Sequence, residues 1–377
     1  MKQDREAPQV DTLWAVPWPL ELRATLAPLQ HGPADPSVRL MPDGAWRALR
    51  TASGPATVRL SAVPGGAHAG SGRAPSVPGG AHSAPGSEPR ATGRSLLSPA
   101  HGDAVRIQAW GPGAVEAAAA APAWMGALDD WSGFDSPAFA STLPESVAAT
   151  RRQRPGLRLP SGGALLDTLC VSVLEQRVTG IEAHYAWARL LREYGERAPG
   201  PTLSGAAQPG PSLSGATRAA RGTGRPASGV LMVPPTGAAW RAIPSWAWHQ
   251  ARVDPARRNT LVAVAERSSA WARLESGSDL AELERAIRSL RGIGVWTAAE
   301  TLQRTHGAPD HVSFGDFHVA HFVGQALTGS RADDAGMEAL LAPWTGHRQR
   351  VVRLLMASGA KNPSYGPRLA PQDHRGH

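Results

Sequence analysis

LRGIGVWTAAE, residues 290–300, joins two segments of helical periodicity, Asp279–Ser289 before it and Thr297–Thr305 after it. Gly292 and Gly294 bracket a single apolar residue, Ile293. Two glycines let the backbone turn tightly and leave N–H groups pointing outward where the second helix starts. Amides in that position, aided by the helix dipole, can hold a phosphate. An ordinary corner between two helices with a glycine cap has the same G-x-G, so the tripeptide alone does not separate the two readings.

The next feature downstream is VSFGDFHVA, residues 312–320, which places Asp316 twenty residues after Trp296. Asp316 follows a glycine and precedes the apolar run FHVAHFVGQAL. One reading makes it a helix N-cap. Another makes it a carboxylate held at a helix start, facing a groove beside the hairpin. The two are compatible.

Helical periodicity extends outward from this pair. It predicts helices over Ala164–Tyr194, Ala238–Ile243, Arg257–Glu275, Phe317–Leu327, Asp333–Leu341 and Gly346–Ser358, with Ser278 as the N-cap of the segment before the hairpin. Residues 143–360 thus read as an all-α domain of about eight helices. The first part of the chain alternates with period two instead. TVRLSAV (57–63) and AVRIQAW (104–110) read as neighbouring strands, with further strands at Leu20–Leu26, Ser37–Leu40 and Ala45–Arg50. WGPGAV (110–115) reads as a turn, and the alanine run from Ala114 to Ala121 as a helix. The expected fold is α+β: a small mixed α/β domain with an antiparallel sheet over residues 10–135, then the all-α domain.

Two stretches rich in Gly, Ala, Pro and Ser interrupt this plan, residues 64–103 with VPGGAH twice and residues 196–230 with LSGA twice. They carry too little large apolar surface to offset the entropy of ordering, so both are expected to be disordered insertions, as is the 361–377 tail.

Among 377 residues, 42% are hydrophobic and 19% charged. No apolar run reaches the roughly 20 residues that span a bilayer, and Met1–Arg5 opens no apolar leader. The single cysteine, Cys170, excludes an intramolecular disulfide, a four-cysteine zinc site and a cysteine-ligated iron–sulfur cluster. A reducing cytoplasm is the expected compartment. Lys2 and Lys361 are the only lysines among 39 basic residues. The net charge of +8 is concentrated in residues 151–360, where 25 Arg face 17 Asp and Glu. A basic half fits a polyanionic partner, nucleic acid first, although arginine-rich composition alone also gives a solvated basic surface. His318 and His321, with His311 nearby, have a spacing that a metal tolerates but no evident further ligand, so no metal is expected.

LRGIGVWTA followed by GDFHV resembles the helix–hairpin–helix DNA glycosylases, and more narrowly the 3-methyladenine DNA glycosylase II family. RPGLRLP (154–160) and VLEQRVT (173–179) resemble the opening of that family's helical domain, and the strands with WGPGA its first domain. The resemblance implies a monomeric enzyme on damaged double-stranded DNA, associated with the nucleoid and with no membrane partner. Gly292, Ile293, Gly294 and Thr297 would bind the DNA backbone, with no cofactor required beyond a monovalent cation at the hairpin. Asp316 would be the catalytic carboxylate. Gln176 and Arg177 would probe the duplex and fill the gap left by a flipped base. Trp296 would lie against the base pocket, with Trp246 and Trp248, and Trp240 beside them in sequence, as further lining candidates.

Three positions depart from the family. Arg177 stands where a leucine is frequent, Glu300 where a relative has a pocket tyrosine, and Arg353 near an expected late tryptophan. One related branch attacks the sugar with a lysine where this chain has Trp296, which implies a monofunctional enzyme that leaves an abasic site. Two alternatives stay open: a non-catalytic DNA-binding protein that keeps the hairpin, and a glycosylase for a different damaged base.

Overall fold

The computed structural model describes residues 7–63, 103–203 and 229–360. The insertions beyond their stems, and the 361–377 tail, lie outside the described residues. Five antiparallel strands form the first sheet: β1 (Val10–Ala15), β2 (Val38–Met41), β3 (Gly44–Thr51), β4 (Gly54–Val63) and β5 (Ala104–Trp110), in the order β1-β5-β4-β3-β2. The two strands read on either side of the first insertion are indeed neighbours. Val63 pairs with Ala104, so the intervening segment leaves and returns at one rung of the ladder.

Leu20–Leu26 is not a strand. It holds helix α1 (Leu22–Leu26) and a following turn to Leu29. Leu22, Leu26 and Leu29 are all buried, and their spacing of four and three matches a helical face rather than strand alternation. β1 escaped the sequence reading because its residues are mostly exposed and carry no alternating apolar face. Helix α2 (Ala114–Trp124) lies on the sheet through Ala114, Ala117, Ala118 and Ala121, whose small side chains allow a close approach.

The helical part continues with α3 (Pro137–Ala140), α4 (Glu145–Gln153), α5 (Leu165–Leu174) and α6 (Gly180–Tyr194). The single long helix expected over Ala164–Tyr194 is therefore two. Arg177 has φ +54°, outside the helical region, and Thr179 with Glu182 forms a capping box that starts α6 afresh. Strands β6 (Glu196–Arg197) and β7 (Met232–Val233) then pair. Val233 of β7 and the flanking residues Ala198 and Leu231 pack on Ala48 of the first sheet. The second insertion is thus shorter than composition implies: residues 196–203 and 229–230 are an ordered stem, closed by a hydrogen bond from Leu203 N to Gly229 O at 2.7 Å.

Next come α7 (Gly237–Ala242), α8 (Ser245–Gln250), α9 (Pro255–Glu266), α10 (Ser268–Gly277), α11 (Leu280–Arg288) and α12 (Val295–His306). Asp279, not Ser278, caps α11, its carboxylate accepting from Glu282 N at 2.7 Å. Last are α13 (Phe317–Thr328), α14 (Asp334–Leu341) and α15 (Arg348–Ala357). Two helical cores result. α5 to α12 share one, including Trp187, Trp240, Trp248 and Trp271. α4 and α13 to α15 share the other, around Trp131 and Phe134. The chain crosses from the first to the second between Ala308 and Val312. The hairpin and Asp316 therefore stand on opposite sides of that crossing.

Among the described residues no helix is long and apolar enough to cross a membrane.

Candidate functional site

The hairpin between α11 and α12 is pinned from inside and open outside. Ile293 is buried in the first core. Gly292 has φ +91°, and a Cβ there would collide with the Thr260 hydroxyl of α9. Gly294 caps α12, and a Cβ there would meet nothing within 4 Å. One glycine is thus needed for the turn, and the other leaves clear space for an approaching group. The first helical amide bond of α12 runs from Ala298 N to Gly294 O at 3.1 Å, so the N–H groups of Val295 to Thr297 have no acceptor within the helix.

Two of the residues expected to bind the DNA backbone make contacts within the protein. Ile293 N already donates to Leu290 O at 3.1 Å, so its amide closes the turn. Thr297 is almost fully buried, and its hydroxyl accepts from Gln176 Nε2 at 2.8 Å. The same Gln176 nitrogen donates to Gly292 O at 2.9 Å. Gln176 therefore ties the α5–α6 loop to the hairpin, leaving its neighbour Arg177 exposed.

Asp316 caps α13 with one oxygen: Oδ1 accepts from His318 N at 2.9 Å and Val319 N at 3.2 Å. Oδ2 accepts from Trp296 Nε1 at 3.4 Å. The carboxylate is half-buried and fixed by its cap, with its second oxygen turned toward the helix that carries the hairpin. The preceding Gly315, at φ +94°, donates its N–H to Asp334 Oδ1 at 2.9 Å, which holds the entry loop. Asp316 is thus the N-cap of α13, and its second oxygen is engaged by Trp296.

The other tryptophans divide. Trp248 is 1% exposed, and its indole donates to Ile243 O at 3.2 Å. It stacks at 6.0 Å on Trp240, which in turn stacks at 6.3 Å on Trp187. Trp248 and Trp240 are core, with no face left for a ligand; four indoles in one apolar cluster pack best against one another. Trp246, on the opposite side of α8, is 55% exposed, and no described contact joins it to Trp296 or Asp316.

Behind the site runs a charged chain that sequence spacing did not reveal. Glu300 accepts from Ser313 Oγ and pairs with Arg304 at 2.7 Å. Arg304 reaches Glu175 at 3.4 Å, and Glu175 meets His31 of the first domain at 3.3 Å. Burial alone would raise the Glu175 carboxyl; Arg304 and the His31 hydrogen bond overcome it and pull the group down to about 2. Glu175 immediately precedes Gln176, so this network anchors the loop. The i,i+4 spacing of Glu300 and Arg304 was a legible signal, but the partners 31 and 175 lie far apart in sequence. Glu300 thus serves an ion-pair network, and Arg353 donates to Ala24 O at 2.6 Å. His311 lies 3.5 Å from Glu284. Among the described residues no three His, Cys, Asp or Glu side chains gather as metal ligands.

No family model matches the chain, and no curated protein matches it in sequence. Solved structures do match in fold. The 3-methyladenine DNA-glycosylase from Archaeoglobus fulgidus superposes with a TM-score of 0.61 at 12% identity, covering 92% of this chain and 98% of that one. The 8-oxoguanine glycosylase/lyase from Clostridium acetobutylicum in its apo-form gives 0.54 at 8% identity, covering 90% and 93%. The same enzyme with double-stranded DNA containing cytosine opposite 8-oxoG gives 0.52 at 8% identity, covering 89% and 91%. At these identities the likeness is one of fold.

Proposed function

We propose that this chain, which has the fold of these DNA glycosylases, excises an alkylated purine of the 3-methyladenine type from duplex DNA by hydrolysing its N-glycosidic bond. The observation that carries the reading is the pairing of Asp316 with Trp296 beside an open glycine hairpin. DNA binding has no use for a carboxylate in a DNA-facing groove; cleavage of a glycosidic bond does.

The target bond is out of reach inside a duplex, so the nucleotide must rotate out, at a cost of roughly a few kcal/mol. In this reading the amides around Gly292 and Gly294 and the first turn of α12 hold a backbone phosphate. Gln176 sets the loop and Arg177 fills the gap in the stack. Trp296 offers its ring to the cationic base, worth about 0.5–2 kcal/mol. Asp316 Oδ2 faces the sugar, stabilises the cation that forms as the bond breaks, and orients the attacking water. Release of the base then leaves an abasic site. Strand cleavage through a Schiff base needs an amine at the site, and Trp296 occupies the position where the related branch has its lysine. A requirement for any cofactor beyond a monovalent cation at the hairpin does not enter this scheme.

The experiment is release of methylated bases from alkylated duplex DNA, read by chromatography, with Asp316→Asn alongside. We expect 3-methyladenine release by the wild type, a loss of about a hundredfold or more in the variant, and retained DNA binding. Borohydride should trap no covalent adduct. Release unchanged by Asp316→Asn refutes the assignment of the carboxylate. Release confined to an oxidised or deaminated base moves the substrate class.

A further inference from the structure

Three non-glycine residues among the described ones have a positive φ: Ala164, Arg177 and Arg252. Left-handed backbone is strained for any residue with a Cβ, and glycine would adopt it freely. Arginine at such a place points to a use for its guanidinium. Arg177 is the residue next to the hairpin tie, already placed above. Arg252, at φ +61°, has no part in the function proposed so far.

Its backbone is clamped to the same loop. Arg252 N donates to His249 O at 2.9 Å. Its carbonyl accepts from Arg257 Nη2 at 3.0 Å, and Arg257 Nη1 donates to Leu174 O at 2.8 Å. Leu174 ends α5, three residues before Arg177. Arg252 is therefore fixed relative to the point from which the Gln176–Arg177 loop departs. Its guanidinium carbon lies 4.8 Å above the ring of Tyr185, and among the described residues no carboxylate pairs with it. Tyr185 and Ile181 are exposed, one turn apart on α6. An unpaired cation stacked on an exposed ring, continuous with the loop that faces DNA, suits a backbone phosphate flanked by sugar.

We propose that Arg252, stacked on Tyr185, is a second phosphate contact for duplex DNA, on the α6 side of the Gln176–Arg177 loop and separate from the hairpin. This rests on the reading of the chain as a DNA-acting enzyme. Tyr185 holds the guanidinium plane, so that its N–H edges stay directed outward. The tyrosine face and Ile181 pack against the deoxyribose of the same strand.

The test compares wild type and Arg252→Gly in binding a 20-base-pair duplex carrying a tetrahydrofuran abasic analogue, by fluorescence anisotropy over a salt series, with thermal melting alongside. Arg252→Gly removes the strain and the cation together. The expected result is an unchanged or higher Tm, affinity lower by about five- to tenfold, and a slope of log K against log salt shallower by about 0.9. Wild-type affinity and slope in a folded Arg252→Gly overturn the contact and leave the stack as surface packing. Should the glycine lower the Tm, Arg252→Asn repeats the test, since asparagine also tolerates the left-handed backbone. Failure of the wild type to bind any duplex overturns the DNA reading itself, and this contact with it.

Discussion

Gly292 and Gly294 sit two residues apart in one hairpin, and a methyl group added at each has opposite consequences. At Gly292 a side chain meets both a left-handed backbone and the Thr260 hydroxyl. Gly292→Ala should destabilise the fold by about 1–3 kcal/mol, visible as a lower Tm. At Gly294 the backbone is extended, at φ −101°, and the space beyond is open. Gly294→Ala should leave the Tm within a degree or two while weakening duplex binding, because the methyl group occupies the approach to the α12 amides. Equal loss of stability in both variants would refute this division. G-x-G spacing alone predicted a tight turn; that one glycine serves the fold and the other the surface is visible only with Thr260 in place. Trp248 shows the converse case. Its proximity in sequence to Trp246 says nothing of the fact that the two point to opposite sides of a short helix, one into the core and one into solvent.

At the scale of elements, the loop between α5 and α6 is the piece on which the site depends. Gln176 bonds it to the hairpin on one side, and Glu175 bonds it to Arg304 of α12 and His31 of the first domain on the other. The carboxyl of Glu175 is held at about 2, below its ordinary value of 4.5. A depressed carboxylate contributes stability that is present above its unfolded pKa and is lost as the pH falls through the folded one. Glu175→Gln should therefore cost about 3 kcal/mol near neutral pH, since it leaves Arg304 and His31 short of a partner in a buried place. The difference from wild type should shrink as the pH drops from about 4.5 toward 2. A constant gap across that range, measured by denaturant titration, would show that the charge of Glu175 is not what matters. The break in this loop was missed in the sequence because apolar periodicity continues from Leu165 to Leu191 with little interruption. The capping box of Thr179 and Glu182 was the available signal.

At the scale of the molecule, the first domain closes over the helical one around a cavity of about 30 Å³, with room for one or two waters. His31, Ser37 and Arg47 line it from one domain, and Asp167, Thr168 and Arg304 from the other. Burial raises the Asp167 carboxyl to about 7, with the nearby Glu275 carboxylate adding to the rise and Arg47 opposing it. Arg47 itself is lowered to about 10 by burial, and donates to Gly162 O at 2.6 Å. With the folded pKa above the unfolded one, the folded state keeps a proton that the unfolded state has released between about pH 4 and 7. Stability from this group is thus lost as the pH rises through that window. Asp167→Asn, which cannot ionise, should match the wild type near pH 4 and melt at a higher temperature at pH 8. A variant less stable at pH 8 would mean that the ionised Asp167 is a needed partner of Arg47.

Local pattern determined a good deal of this protein. Alternation located four of the five strands of the first sheet, 3.6-residue periodicity located most helices, and the glycine hairpin with an aspartate at a helix start marked the candidate site. These are properties of a few consecutive residues, set by backbone sterics and by which face is apolar. Tertiary structure decided the rest: that Trp240 and Trp248 are core, that the Ile293 amide and the Thr297 hydroxyl are already engaged, and that the stem at residues 196–203 is ordered by packing on Ala48. It alone placed Glu175 between His31 and Arg304, and Arg252 on Tyr185. Burial and charge pairing depend on which distant segments come together, and in this chain the segments in contact lie from tens to more than three hundred residues apart.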